Sequence, residues 1–231
     1  MGKALAIITA RGGSKRIPRK NIKEFCGKPI IAYSIEAAIQ AGIFDEVMVS
    51  TDDEEIAEVA KEYGARMPFL RSKENADDFA TTADVISEVL EQYEKIRKFY
   101  DYACCIYPTA PFVTSEKLQK AMEILEATRA DSVMPVTAFS FPPMRGMYLS
   151  DEKLGYAFPE YAKKRSQDIE LMYHDCGQFY FFDVKRFLGT RKLVTENTKA
   201  IVVSELEVQD IDNEIDWKLA ELKYQMMKAG K

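Results

Sequence analysis

Several signatures that would settle a function quickly are missing from this chain. It has no Gly-x-Gly-x-x-Gly and no glycine loop closing on Gly-Lys-Ser/Thr, which argues against dinucleotide-dependent oxidoreductases and P-loop NTPases. No Gly-x-Ser-x-Gly elbow and no Cys/His nucleophile pair occurs, so no covalent catalyst is visible, and His174 is the only histidine. No apolar run approaches the ~20 residues that span a bilayer. Met1-Gly2-Lys3 leads directly into an apolar strand instead of a signal-peptide core, so a cytoplasmic protein without a membrane partner is expected. Cys26, Cys104, Cys105 and Cys176 show no Cys-x-x-Cys spacing, and neighbours on a strand face opposite ways, so buried reduced thiols are expected rather than disulfides or zinc. Excess positive charge is lacking too. The 32 Lys+Arg face 37 Asp+Glu, a net charge of −5, so no global field recruits nucleic acid or an anionic membrane.

Against that background the N-terminal stretch 5–21, LAIITARGGSKRIPRKN, stands out. An apolar strand runs into a glycine loop with five cations, Arg11, Lys15, Arg16, Arg19 and Lys20. Successive backbone N–H groups of such a loop can form an anion nest, and the surrounding charge suits a polyphosphate. A solvated basic loop is the plainer alternative. Position favours the phosphate site, because a first, central strand of an open α/β sheet presents its carboxyl end, and this loop, to ligands.

The 231 residues, 47% of them hydrophobic, allow one large domain or a domain with a sizeable insertion. Strand-like runs at 4–9, 46–51, 102–107, 131–136, 177–182 and 199–204 alternate with helical stripes. The stripes are Ile31/Ile35/Ala38/Ile39, Ile56/Val59/Ala60/Tyr63, Val85/Ile86/Val89/Tyr93, Leu118/Ala121/Met122/Leu125 and Ile215/Leu219/Leu222/Met226, each expected to pack on the core. The alternation predicts an α/β fold, Rossmann-like, with a mostly parallel sheet and helices on both faces. Residues 138–172 break the rhythm, with Phe139, Phe141, Tyr148 and Phe158 among prolines and charge clusters. They read as an insertion between two parts of one core, 1–137 and 173–231, whose aromatics either cap that core or meet a partner.

The loop resembles the N-terminal signature of the acylneuraminate cytidylyltransferases, which join CTP to a nonulosonic acid, and the resemblance covers nearly the whole chain in order. It implies that Arg11, Ser14, Lys15, Lys20 and Asn21 hold the CTP triphosphate, with Arg11 and Lys20 neutralising charge in catalysis. Gly12 and Gly13 stand where the sialic acid enzymes have larger polar residues, so the backbone alone would serve there. Arg71 and the Ala80-Thr81-Thr82 stretch match the cytosine-binding segment, Ala80 and Thr82 included. Thr81 or Thr82 also reads as the N-cap of a helix reaching about residue 97. Asp210 and Asp212, spaced to lie on one side of an extended segment with Ile211 behind, match the family's metal motif. Hard Mg²⁺ is the cofactor implied. Helix capping by Asp212 or Asn213 is the structural alternative. The resemblance further implies a homodimer built through the 138–172 protrusion.

At the sugar end the chain departs from the sialic acid enzymes. Tyr107 and Val113 replace a glutamine and an arginine, His174 replaces an arginine facing the sugar acid, and Arg165 retains the place of the other. Arg165 is expected to bind the sugar carboxylate, and Tyr107, His174 and Gln178 to line the pocket. The departures resemble the branch that activates pseudaminic acid, a less hydroxylated sugar. Sialic, legionaminic or KDO-type substrates are the alternatives within this chemistry, and a non-catalytic nucleotide sensor the alternative outside it.

Overall fold

The computed structural model describes residues 2–229. In chain order the strands are β1 (Ala4–Thr9), the short β2 (Glu24–Phe25) and β3 (Lys28–Pro29), β4 (Glu46–Ser50), β5 (Tyr102–Ile106), β6 (Ser132–Ala138), β7 (Met147–Ser150), β8 (Lys153–Tyr156), β9 (Tyr173–Asp175), β10 (Phe179–Asp183) and β11 (Thr198–Val202). The helices are α1 (Ile30–Ala41), α2 (Glu54–Glu62), α3 (Thr82–Lys95), α4 (Ser115–Thr128), α5 (Val184–Thr190) and α6 (Glu214–Ala229). The central sheet has the order β11-β6-β10-β5-β1-β4, with β9 also paired to β6. β4, β1, β5, β6 and β11 share one direction, while β10 and β9 run against it. The sheet is thus mostly parallel. β1 is an interior strand next to the edge strand β4, not the middle of the sheet.

Alternation along β1 explains why its apolar run is continuous. Ala6 and Ile8 join one core cluster with α1, α2 and α4 residues such as Ile35, Ile56 and Leu118. Leu5 and Ile7 join the other with Ile86 and Val89 of α3 and Phe187 of α5. Both faces of the strand are covered, so no polar face is left. Cys104 and Cys105 divide between the two clusters as neighbours on a strand must, and all four cysteines are free thiols.

The break between β9 and β10 positions the site. Both strands lie along the same side of β6, and between them Gly177 adopts φ +59°, where a side chain would strain the backbone. The peptide of Gln178 there accepts a hydrogen bond from Tyr107 N at 2.8 Å, fastening the kink to the carboxyl end of β5. The excursion between β6 and β9 leaves the sheet altogether and forms the β7–β8 hairpin and short 3-10 turns.

Two expectations about packing need correction. Ile215, Leu219, Leu222 and Met226 of α6 are exposed, and α6 buries Trp217 and Ala220 instead. Both stripes have helical spacing, and the one carrying the large indole is the one drawn into the core. Ile39 of α1 is also largely exposed, while Ile31, Ile35 and Ala38 are buried.

Candidate active site

A third apolar cluster, separate from the two faces of the sheet, carries the site. Ile17 of the glycine-basic loop, Phe25 and Tyr33 pack with Ile211, Trp217 and Ala220, with Phe25 edge-on to both Tyr33 and Trp217. Fully burying each such side chain contributes about 1.5–3 kcal/mol. Loop and C-terminal carboxylate segment are therefore held by the same core. Lys20 Nζ adds a 2.7 Å hydrogen bond to the Ile211 carbonyl, and Asn21 Nδ2 donates to the Arg11 carbonyl at 2.8 Å, closing the loop on itself.

The resulting cleft, about 390 Å³, lies at the carboxyl ends of β1 and β5. Arg11, Ser14, Lys20 and Asn21 line it as expected. The other members of the loop are placed differently. Arg19 turns away, pairing with Asp53 and Glu55 at the start of α2, and Arg16 pairs with Asp212 at 2.7 Å. Lys15 pairs with Asp78 beside the cleft wall. Gly12 donates its N–H to Asp52 at 2.9 Å, so that group is not free for an anion, and Gly13 is not part of the wall. A Cβ at Gly12 would stand 2.9 Å from Asp53 Oδ2, which explains the glycine by close approach. Burial lowers the Lys20 pKa, and the pull of Asp212 and Asp210 offsets part of that shift.

On the opposite wall Arg71 is buried, with Nε on Ser50 Oγ at 3.0 Å and Nη2 on the Ser50 carbonyl at 2.6 Å, and it lines the cleft together with Ala80 and Thr82. The two threonines divide their roles. Thr81 caps α3 in a reciprocal box with Asp84, and Thr82 Oγ1 faces Tyr107 Oη at 3.1 Å inside the cleft. Thr109, Asn75, Asp77 and Asp78 also line it and were not singled out from sequence. The acidic pair Asp77-Asp78, seven residues past Arg71, was the available signal.

Tyr107 is the wall shared with a second cavity of about 350 Å³ containing Thr109, His174, Asp175, Gly177 and Asp210. Its ring meets Tyr180 edge-on at 5.8 Å, and Tyr180 Oη donates to Asp175. Burial raises the pKa of both phenols, and for Tyr180 the Asp175 hydrogen bond adds to the effect. His174 Nδ1 lies 2.9 Å from the Asp175 carbonyl, and its ring packs 4.8 Å from Phe139. Two expected sugar contacts, Gln178 and Arg165, and the substituted position Val113 are not brought to this wall. Gln178 is buried, its amide donating to the Glu207 carbonyl at 2.6 Å. Val113 is buried in the core cluster of α1 and α4. Arg165 sits on the excursion in a two-point ion pair with Asp168, at 2.8 and 3.1 Å.

Asp210 and Asp212 flank buried Ile211 as the spacing predicts. Capping of α6 falls to Asn213, whose Oδ1 accepts from Ile215 N and Asp216 N, with Asp216 reciprocating to Asp212 N and Asn213 N. Neither carboxylate is spent on the helix. No group of three or more His, Cys, Asp or Glu forms a metal cage among the described residues. Two carboxylates next to a cation-lined cleft suit Mg²⁺, which is usually held by one or two carboxylates plus substrate phosphates.

Comparison with known proteins defines the class: the chain belongs to the cytidylyltransferase family, whose model matches residues 5–178. Among curated relatives, the pseudaminic acid cytidylyltransferase of Campylobacter jejuni subsp. jejuni serotype O:2 is 43% identical over 225 residues, 97% of each chain. The CMP-N,N'-diacetyllegionaminic acid synthase of Legionella pneumophila is 35% identical over 94% of each chain. A solved CMP:2-keto-3-deoxy-manno-octonic acid synthetase in complex with CTP shares the fold, with a TM-score of 0.71 and 18% identity, over 98% of this chain and 99% of that one.

Proposed function

We propose that this protein transfers CMP from CTP to the anomeric hydroxyl of pseudaminic acid, releasing pyrophosphate. The observation that carries this reading is the pair of cavities sharing the Tyr107 wall, one rimmed by cations and one by polar groups and an aromatic. Identity of 43% along 97% of the chain to an enzyme named for that sugar supports the choice of substrate.

The chemistry needs no protein nucleophile. The anomeric oxygen forms a bond to the α-phosphorus and its hydroxyl proton passes to solvent, while the bond from the α-phosphorus to the oxygen bridging to the β-phosphate breaks and pyrophosphate leaves with that oxygen. Arg11 and Lys20 hold the triphosphate and offset the charge that moves onto the leaving group. Arg71, Ala80 and Thr82 form the wall against which cytosine is read. Asp210 and Asp212 would hold Mg²⁺, which when bound supplies charge neutralisation at the phosphates. Tyr107 and His174 shape the sugar side, where apolar contacts discriminate by only ~1–3 kcal/mol, so some turnover of related sugars is expected.

Two further properties belong to the same reading. The protein acts as a homodimer through segment 139–172, where Phe141, Tyr148, Leu149 and Leu154 are each more than half exposed. Pairing of two copies is also the arrangement that can bring Arg165 to a sugar cavity, since it does not line the one in its own chain. The enzyme works in the cytoplasm, consistent with free thiols and CTP as co-substrate. No helix among the described residues is long and apolar enough to cross a membrane.

Pyrophosphate release from CTP and Mg²⁺ with a panel of nonulosonic acids tests the proposal. The highest kcat/KM is expected with pseudaminic acid. An equal or better value with N-acetylneuraminic acid overturns the sugar assignment, and no release with any acid overturns the activity.

A further inference from the structure

Four of the five cations of the glycine-basic loop are ion-paired within the chain, and one residue does this inside the cleft. Asp78 places Oδ1 2.7 Å from Arg11 Nη1 and Oδ2 on Lys15 Nζ, so its carboxylate spans two cations as two oxygens of one phosphate group would. Both Asp78 and Arg11 line the cleft.

The segment carrying Asp78 is built to keep it there. Ser72 N and Asn75 Nδ2 both bond to Glu88 of α3 at 2.8 Å, tying down the start of the segment. Asp77 Oδ1 accepts from Phe79 N and Ala80 N, and the Asp77 carbonyl takes a second bond from Arg11 Nη1 at 2.9 Å. The Thr81–Asp84 box fixes its end. Between these anchors Asp78 has no structural partner except the loop cations, and their attraction lowers its pKa, Lys15 contributing most.

Resting on the cytidylyltransferase reading, we propose that Asp78 is an internal counter-anion that the triphosphate of CTP displaces, and that it sets nucleotide affinity and the rate of pyrophosphate release. A phosphate group that uses Arg11 Nη1 and the same face of the Lys15 ammonium must displace the carboxylate that bridges them. Each binding event must break two ion pairs, and each release of pyrophosphate can re-form them. Asp78 thus competes with substrate and assists product departure. Its partners are partly exposed, so the competition is modest and screened by salt.

The test is binding of inorganic tripolyphosphate, pyrophosphate and CTP to full-length wild type, Asp78→Asn and Asp78→Glu by calorimetry, with circular dichroism confirming the fold. Glu123→Gln, which removes one exposed carboxylate from α4, controls for net charge. Asp78→Asn is expected to bind all three ligands about 3- to 30-fold more tightly, to lower KM for CTP, and to slow turnover as pyrophosphate becomes a stronger inhibitor. Asp78→Glu should restore wild-type values, and Glu123→Gln should match wild type. Unchanged or weaker binding by Asp78→Asn, or the same gain in Glu123→Gln, overturns the inference while the wild-type activity stands. Absence of CTP binding and CMP transfer in wild type overturns the underlying reading and the inference with it.

Discussion

Lys20 Nζ reaches the carbonyl of Ile211 at 2.7 Å, so one hydrogen bond joins parts of the chain 191 residues apart: the phosphate loop and the segment bearing Asp210 and Asp212. The Lys20 ammonium and the Asp210 and Asp212 carboxylates are consequently positioned against one another, on a core that contains Ile17 and Ile211 together. Substrate-site geometry here depends on packing some distance from any substrate.

Lys20→Ala should lower kcat by about 10²–10³-fold, the usual cost of removing one preorganised charge stabiliser. Because burial depresses the Lys20 pKa, its charge is lost as pH rises sooner than that of an exposed lysine. A pH profile of kcat/KM for CTP should fall on its alkaline side, and Lys20→Arg should move that limb to higher pH. A limb that stays in place in Lys20→Arg contradicts the assignment.

Asp210→Asn combined with Asp212→Asn should abolish Mg²⁺-dependent turnover with little change in Tm. Asn213→Ala should do the reverse, costing about 1 kcal/mol through the lost cap of α6 while retaining most activity. Thermal melts and steady-state rates on both variants separate the two roles. A double variant that melts early would return Asp210 and Asp212 to structure.

Tyr107→Ala should raise KM for CTP and for the sugar together, because the ring walls both cavities. Tyr107→Phe, which keeps the ring and removes the hydroxyl's contacts with Thr82 and Tyr180, should have a smaller effect on both. Val113→Arg should destabilise the fold by several kcal/mol, ~3 or more, by placing an unpaired charge in the core cluster. Denaturant melts check the latter, and a stable Val113→Arg with altered sugar preference would contradict the burial described.

Leu149 and Leu154 face each other across the β7–β8 hairpin and are 72% and 71% exposed. Leu149→Glu with Leu154→Glu should convert a dimer to a monomer in sedimentation velocity and depress activity with the sugar. Tripolyphosphate binding should persist, since the nucleotide cleft draws on other elements. A wild-type monomer would refute the dimer directly.

Period and position made much of this molecule legible. The consecutive apolar residues of β1 and the stripes of α3 and α4 read correctly because two covered faces leave no alternative. That Arg11, Ser14, Lys20 and Asn21 line a cleft was legible because loop chemistry and strand end coincide. Direction was not legible in 179–182, since an apolar run is the same read forwards or backwards, and β10 is reversed. Nor was the choice between two helical stripes in α6, which Trp217 decides. Arg16 and Arg19 counted toward the positive charge around the loop because its composition does not reveal that Asp212, Asp53 and Glu55 would claim them. Val113 and Gln178 sit one turn or one kink from cavity walls, a difference only coordinates resolve.

The reversal of β10 has a consequence for how such an enzyme can change its diet. A strand running with β5 would begin at the far end of the sheet and meet the cleft only on leaving it. Running against β5, β10 begins at the cleft, so the chain before it, from the excursion through His174 and Asp175 to Gly177, arrives at the sugar cavity as one continuous stretch of sequence. That stretch can exchange exposed side chains while β1, β5 and the glycine-basic loop keep their register, its own backbone being held by β6 and by the Tyr107–Gln178 hydrogen bond. On the proposed reading, the sugar side is thus carried by one contiguous segment, and the nucleotide side by the strands and loop that frame it.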